Sequence, residues 1–232
     1  MKEIKAAVLK NLFKSRNTNY CPICGVHSVF LDFGRKPRPN ALCENCKSLE
    51  RHRLIWLFLR KKTDFFSNQR LAILHIAPEH CFMVRFDNFF EQYLSGDLNR
   101  FDVKEKIDIT QINHDKESFD VILCNHVLEH IIDDRKAIAE LYRVLRKGRW
   151  AIITVPLYGR TTYEDYSITS PADRLAVFGQ EDHVRKYGYD IESRLTEAGF
   201  NVQIVSGSSF LSEQEIRKMR IGERSIWLCS KW

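Results

Sequence analysis

Apolar and polar positions are most clearly ordered between Phe119 and Pro156, FDVILCNHVLEHIIDDRKAIAELYRVLRKGRWAIITVP. Phe119 to Cys124 is a short unbroken apolar run, the pattern of a strand buried on both faces of a parallel sheet. It breaks off into Asn125, His126, Glu129 and His130. From Asp133 the apolar positions fall at helical spacing, with Ile138, Leu141, Tyr142 and Leu145 on one stripe and Gly148 as the expected stop. A second apolar strand, Trp150 to Val155, follows. Open α/β sheets bind their ligands beyond the carboxyl ends of the strands, so Asn125 to His130 is expected to line a site.

The same reading extends to both sides. Leu71 to Ile76 is a first strand, Ala77 to His80 a loop, and Phe82, Phe86, Phe89 and Phe90 mark a helix. A second strand, Tyr93 to Gly96, ends at Asp97, where a carboxylate can accept hydrogen bonds from both hydroxyls of a ribose. Near the carboxyl terminus RLTEAGF is a helix with its stop at Gly199, and NVQIV and SIWLCS are strands. Upstream, SLERHRLIWLFLRKK reads as a helix capped by Ser48 whose polar ERHR start is solvated. These elements predict an amphipathic helix over 1–16, a cysteine-rich module over 17–48, a connecting helix over 49–66 and an α/β domain over 67–232. Residues 157–187 form a long insertion in that domain, of the kind often used as a lid or binding element.

Composition adds limits. With 44% hydrophobic and 28% charged residues in 232, the chain has the makeup of a folded soluble protein. Its longest apolar run, Leu54 to Leu59, falls far short of the ~20 residues of a membrane helix. The basic amino terminus lacks an apolar signal core and a small-residue cleavage site, so a cytoplasmic location is expected. A net charge of +6, from 36 basic and 30 acidic side chains, favours anionic partners only mildly. The basic residues are scattered in small groups, which makes nucleic acid a secondary expectation.

Four of the seven cysteines, Cys21, Cys24, Cys43 and Cys46, form two CxxC knuckles, CPIC and CENC. Paired knuckles at this separation close a tetrahedral thiolate site, which predicts a zinc ribbon. Four protein ligands leave no open position, so the Zn²⁺ would be structural. Two disulfides or a redox pair are the alternatives, disfavoured in a reducing compartment. Cys81, Cys124 and Cys229 stand alone and read as small buried hydrophobes.

The block FDVIxxxxVLEHI, followed by AIAELYRVLRKG and an apolar strand, resembles class I S-adenosylmethionine-dependent methyltransferases, in particular the type 11-like small-molecule branch that includes quinone-biosynthesis enzymes. FGQEDHVRKYG with RLTEAGFNV resembles the back half of a bacterial group that carries a zinc ribbon in front, and ERHR is similar to the same group. The resemblance spans Leu71 to Trp232. It implies a Rossmann-like seven-stranded sheet with helices on both faces, a final hairpin with one antiparallel edge strand, and S-adenosylmethionine as cofactor. The cofactor residues it implies are His75, Ala77, Pro78 and Glu79 in the first loop, Asp97 and Leu98 after the second strand, Asp108 and Ile109 beside the adenine, and Asn125 and His126. The family's first loop is rich in glycine and follows an acidic residue, whereas this chain has HIAPEHC. Asp97 and Asp108 also suit ordinary turns.

A sulfonium is already activated, so methyl transfer depends mainly on in-line positioning of the acceptor. A hydroxyl acceptor also needs a base, for which His126, His130 and His183 are the candidates. His126 and His130 are four apart, but HVLEH sets its Glu beside the second His, unlike HExxH, and no metal is assigned to that pair. On the substrate side the candidates are Tyr158, Tyr163, His183 and Arg185. Arg185 can clasp a carboxylate or phosphate, or equally form an ion pair with Asp182 or Glu181. The expected function is methyl transfer to a small-molecule or sugar-like acceptor. The alternatives are an RNA methyltransferase that grips backbone with its ribbon, and a non-catalytic binding protein with a degenerate cofactor loop.

Overall fold

The computed structural model describes residues 19–222 and 225–232. The helix expected over 1–16 lies outside the described residues. The chain divides into two compact units, Met1–Asp64 with Ser206–Arg224, and Phe65–Val205 with Ser225–Trp232.

The first unit begins with two antiparallel hairpins, β1 (Asn19–Cys21) with β2 (Val26–Ser28), and β3 (Phe30–Phe33) with β4 (Arg38–Cys43). Helix α1 (Glu50–Lys62) follows. Ser48 is not its cap. The Ser48 hydroxyl turns to the sulfurs of Cys21 and Cys46, at 3.3 and 3.2 Å, and His52 Nδ1 accepts from the Leu49 amide at 3.1 Å instead. The ERHR start is not solvated either: Glu50, His52 and Arg53 are buried. Glu50 pairs with Arg38 at 2.9 Å. Arg53 lies over the Phe30 ring and donates to the carbonyls of Ser48, Ala41, Met219 and Arg220 at 2.7–3.0 Å. Those last two bonds, a Phe58–Phe210 ring contact and a 2.6 Å Lys61–Glu215 pair explain why 206–224 joins this unit, although it lies inside the expected domain 67–232.

The second unit is built on β5 (Ala72–Ile76), α2 (His80–Phe89), β6 (Gln92–Asp97), β7 (Glu105–Lys106), β8 (Phe119–Asn125), α3 (Asp134–Val144) and β9 (Leu145–Thr154). The small β10 (Tyr163–Glu164), α4 (Pro171–Phe178) and β11 (Arg185–Lys186) precede α5 (Ile191–Glu197), β12 (Asn201–Ser206) and β13 (Ser225–Lys231). Seven strands form one sheet in the order β12-β13-β9-β8-β5-β6-β7. β5 to β9 run parallel to their neighbours, and β13 is antiparallel to β9. The antiparallel strand is therefore not the edge, as the resemblance implied, but lies between β12 and β9.

Every residue of β8 is buried, as its unbroken apolar run requires. Its amino end is pinned by Asp120, which accepts from the Ala72 amide at 2.9 Å and pairs with Arg146 and Arg149. Asp133 caps α3 by accepting from the Lys136 amide. The helix stops at Val144, short of Gly148, because the buried Leu145 pairs in register with Phe119. Gly148, at φ +71°, serves an irregularity within the extended segment instead. Gly96 allows β6 and β7 to close up, since a Cβ there would sit 2.4 Å from Ile107 Cδ1.

Candidate active site at the carboxyl ends of the strands

The chain leaves β5 for β6 on one side and returns to β8 on the other, so the carboxyl ends of these three strands meet at a switch point. At the end of β5, Ala77 takes φ +46° and its amide donates to Gly96 O at 2.8 Å. The glycine-free loop thus makes the tight turn on an alanine in the left-handed region, a conformation that costs a non-glycine residue about 1 kcal/mol. Arg100, paired with Asp102, donates to the Pro78 carbonyl and braces the loop. His75 is fully buried, with one ring nitrogen 2.9 Å from Tyr93 Oη and the other 2.8 Å from Glu79 Oε2. It ties the strand to the start of α2 rather than facing the crevice.

Asp97 ends β6. Its Oδ1 accepts from the amides of Asn99 and Arg100 at 2.8 and 3.0 Å, which fixes the turn and the carboxylate together; Leu98 beside it is exposed. Asp108 is held by the amide and hydroxyl of Thr110, and these bonds keep its carboxyl below the usual range. Ile109 is buried in the sheet's core.

At the end of β8, Asn125 Oδ1 accepts from Thr154 Oγ1 at 3.0 Å, while its Nδ2 is buried without a partner. His126 follows at φ +56°, its amide bonded to Thr154 O and its Nδ1 3.3 Å from Glu129 Oε1. A 3₁₀ turn, Leu128–His130, then brings His130 Nδ1 to 3.1 Å from Asp182 Oδ2. The Glu129 carbonyl accepts from the Val184 amide, which carries His183 inward against the His130 ring, centroid to centroid 4.7 Å. His183 is 1% exposed and neither ring nitrogen has a partner. Burial lowers its basicity and outweighs the neighbouring Glu129 charge, so the ring is neutral near pH 7. One donor atom each from Glu129, His130 and His183 lies within 4.8 Å of the others.

Arg185 is a correction. It is fully buried and donates to Glu164, to the carbonyls of Leu128, Ile131 and Ile132, and to Tyr166 Oη. Its partners are Glu164 and Asp134 rather than Asp182 or Glu181, and no donor is left for a substrate anion. Arg194 bridges the same two carboxylates, and Tyr187 donates to Asp134. This network roots the insertion on the start of α3. Burial on its own would raise the Glu164 carboxyl, but Arg194 and Arg185 hold it at about 2. Tyr158 and Tyr163 are about half exposed on the same insertion; the Lys186 ammonium lies 5.5 Å over the Tyr158 ring. Nothing in the residue pattern pointed to Asp134, Glu164 and Arg194 as one group, because they come together only through the fold.

In the first unit the four cysteines converge, with Cys21 and Cys46 sulfurs 3.6 Å apart and those of Cys24 and Cys43 3.9 Å apart. A tetrahedral ion with bonds of about 2.3 Å separates its sulfurs by roughly 3.8 Å, so the donor set fits zinc. Gly25 and Lys47 each follow the second cysteine of a knuckle at positive φ and donate back to the first, Gly25 to Cys21 O and Lys47 to Cys43 O, both at 2.9 Å. The knuckles are thus built alike. None of the seven cysteines forms a disulfide, and Cys81, Cys124 and Cys229 are buried as expected.

The chain matches the family described as "Methyltransferase domain" over residues 89–153, from the end of α2 to β9. The YcgJ protein of Bacillus subtilis superposes with a TM-score of 0.52 at 14% identity, over 78% of this chain and 99% of that one. This is a Rossmann-like methyltransferase fold. A putative sarcosine dimethylglycine methyltransferase from Galdieria sulphuraria gives 0.51 at 14% identity, over 90% and 96% of the two chains. An S-adenosylmethionine-dependent methyltransferase from Archaeoglobus fulgidus gives 0.50 at 15% identity, over 82% and 97%. No curated protein matches the sequence. The family match supports S-adenosylmethionine-dependent methyl transfer. Among the described residues no helix is long and apolar enough to cross a membrane.

Proposed function

We propose that the second unit transfers a methyl group from S-adenosylmethionine to a small-molecule or sugar-like acceptor, and that the four cysteines hold a structural Zn²⁺. The observation that carries the reading is the crevice where Asp97 at the end of β6 and Asn125–His126 at the end of β8 flank the end of β5 in the parallel part of a methyltransferase fold. Asp97 accepts from the ribose hydroxyls, the loop Ala77 to Glu79 passes the methionine part, and Asp108 with Ile109 meets the adenine.

Of the three candidate bases we assign His126. Its Nδ1 is held by Glu129, which leaves Nε2 to take the acceptor's proton as the S–CH₃ bond breaks and the new methyl bond forms. Tyr158 and Tyr163, exposed on the insertion, contact the acceptor. Arg185 does not; it sets the insertion's position. Zinc at Cys21, Cys24, Cys43 and Cys46 joins the two hairpins of the first unit and takes no part in chemistry.

Isothermal titration with S-adenosylmethionine is expected to give one-to-one binding. Asp97→Ala, which removes two charge-assisted hydrogen bonds, should weaken it by roughly 30- to 300-fold. No heat and no thermal shift with the wild-type chain sinks the enzyme reading, and retained affinity in Asp97→Ala sinks the ribose assignment.

A further inference from the structure

We propose that Glu129, His130 and His183 form a binding site for a first-row transition-metal dication, distinct from the cysteine site. The three residues come from two segments more than fifty positions apart, and one donor atom of each falls within 4.8 Å of the other two. A dication with bonds of about 2.1 Å holds its nitrogen and oxygen donors roughly 3–4 Å apart, so small side-chain rotations close the cluster.

Two features separate this cluster from an ordinary polar contact. His183 is 1% exposed, yet both ring nitrogens lack a partner, and Glu129, equally buried, has an unpartnered Oε2. A buried polar atom without a partner costs about 1–3 kcal/mol, so three at one place call for a ligand. Glu129 Oε1 faces His126 Nδ1 and His130 Nδ1 faces Asp182, so the atoms we assign to the ion are Glu129 Oε2 and His130 Nε2. A carboxylate that orients a ligating imidazole is the usual outer support of a metal site.

The donor set selects the cation. Two imidazoles and one carboxylate suit Zn²⁺, Mn²⁺, Fe²⁺ or Co²⁺, whereas Mg²⁺ and Ca²⁺ prefer oxygen ligands alone. Three protein ligands leave coordination positions for oxygen atoms of the acceptor, one or two hydroxyls of a sugar-like molecule. That last point rests on the methyl-transfer reading; the ion site does not.

The test is titration of the full-length, zinc-loaded chain with Co²⁺ in the absence of S-adenosylmethionine. The expected result is one further equivalent bound, with weak visible d–d bands and no thiolate charge-transfer band. Glu129→Gln and His183→Ala should each weaken that binding at least 100-fold, and Asp182→Asn, at an exposed position, about 10-fold. Thermal melts of each variant without added metal establish that it is folded. Absence of a second equivalent, thiolate charge transfer as its only signature, or binding unchanged in folded Glu129→Gln and His183→Ala overturns the proposal. S-adenosylmethionine binding is measured separately, so either reading can fail alone.

Discussion

Arg185 and His183 are two residues apart and both almost fully buried, yet their surroundings are opposite. Every guanidinium nitrogen of Arg185 has a protein acceptor, in a group that also closes around Asp134, Glu164, Arg194 and Tyr187. His183, with Glu129 near it, keeps buried polar atoms without partners. The same short segment thus contains one region that is complete in itself and one that needs something added. Here buried charge is satisfied in the group around Arg185, while the unsatisfied atoms of Asn125 and Glu129 lie at and just beyond the carboxyl end of β8, the end at which open α/β sheets bind ligands.

Four experiments sharpen or break this contrast. On the proposed zinc reading the cysteine cluster is the extreme case of a region completed by an ion: Cys43→Ser should abolish stoichiometric zinc and with it most of the about 10–16 kcal/mol that such sites contribute to folding. Metal analysis and loss of protease resistance in the first unit check this. Well under one equivalent of zinc in fresh wild-type protein would reject the site.

In the complete region, Asp134→Ala leaves Arg185, Arg194 and Tyr187 facing an empty place and should cost about 3–5 kcal/mol in denaturant unfolding. A loss below about 1 kcal/mol would mean that the network is not the insertion's root.

Acid tests the same group. Glu164 titrates at about 2 in the folded chain, below the ordinary 4.5. Its contribution is therefore fully present above pH 4.5 and lost as pH falls from there toward 2, about 2 kcal/mol after allowance for its partial exposure. Glu164→Gln should flatten that part of the stability profile; an unchanged slope argues against the pairing.

The smallest effect belongs to the incomplete region. With no divalent cation added, His183→Leu should lose no more than about 1 kcal/mol and is free to gain stability, because the ring it removes has no hydrogen bond to lose and carries two unpartnered buried nitrogens. A penalty above about 3 kcal/mol would show that His183 is satisfied in the metal-free protein and that the contrast with Arg185 is false.

The pattern of the chain was enough to place β5, β6, β8 and α3, because each follows from unbroken apolar runs or helical spacing within one segment. The cysteine knuckles were equally plain, since each knuckle is itself local. Three readings failed where a distant partner decided the outcome. Leu145 leaves its helix to pair with Phe119, Ser48 gives up capping to meet two sulfurs, and Arg185 turns inward to carboxylates at Glu164 and Asp134. His126 and His130 drew attention as a pair at helical spacing, but a 3₁₀ turn separates their roles, one toward Glu129 and the other toward Asp182.

The sequence by itself determined the class of fold, the cysteine site and the strand end at Asn125 to His130, all of them properties of residues close together in the chain. Only the tertiary structure decided that β13 lies inside the sheet, that residues 206–224 join the first unit through Arg53, and that Glu129, His130 and His183 share one place. The reason is physical. Periodicity records which face of an element is buried, whereas the satisfaction of a buried polar atom depends on what another segment brings to it.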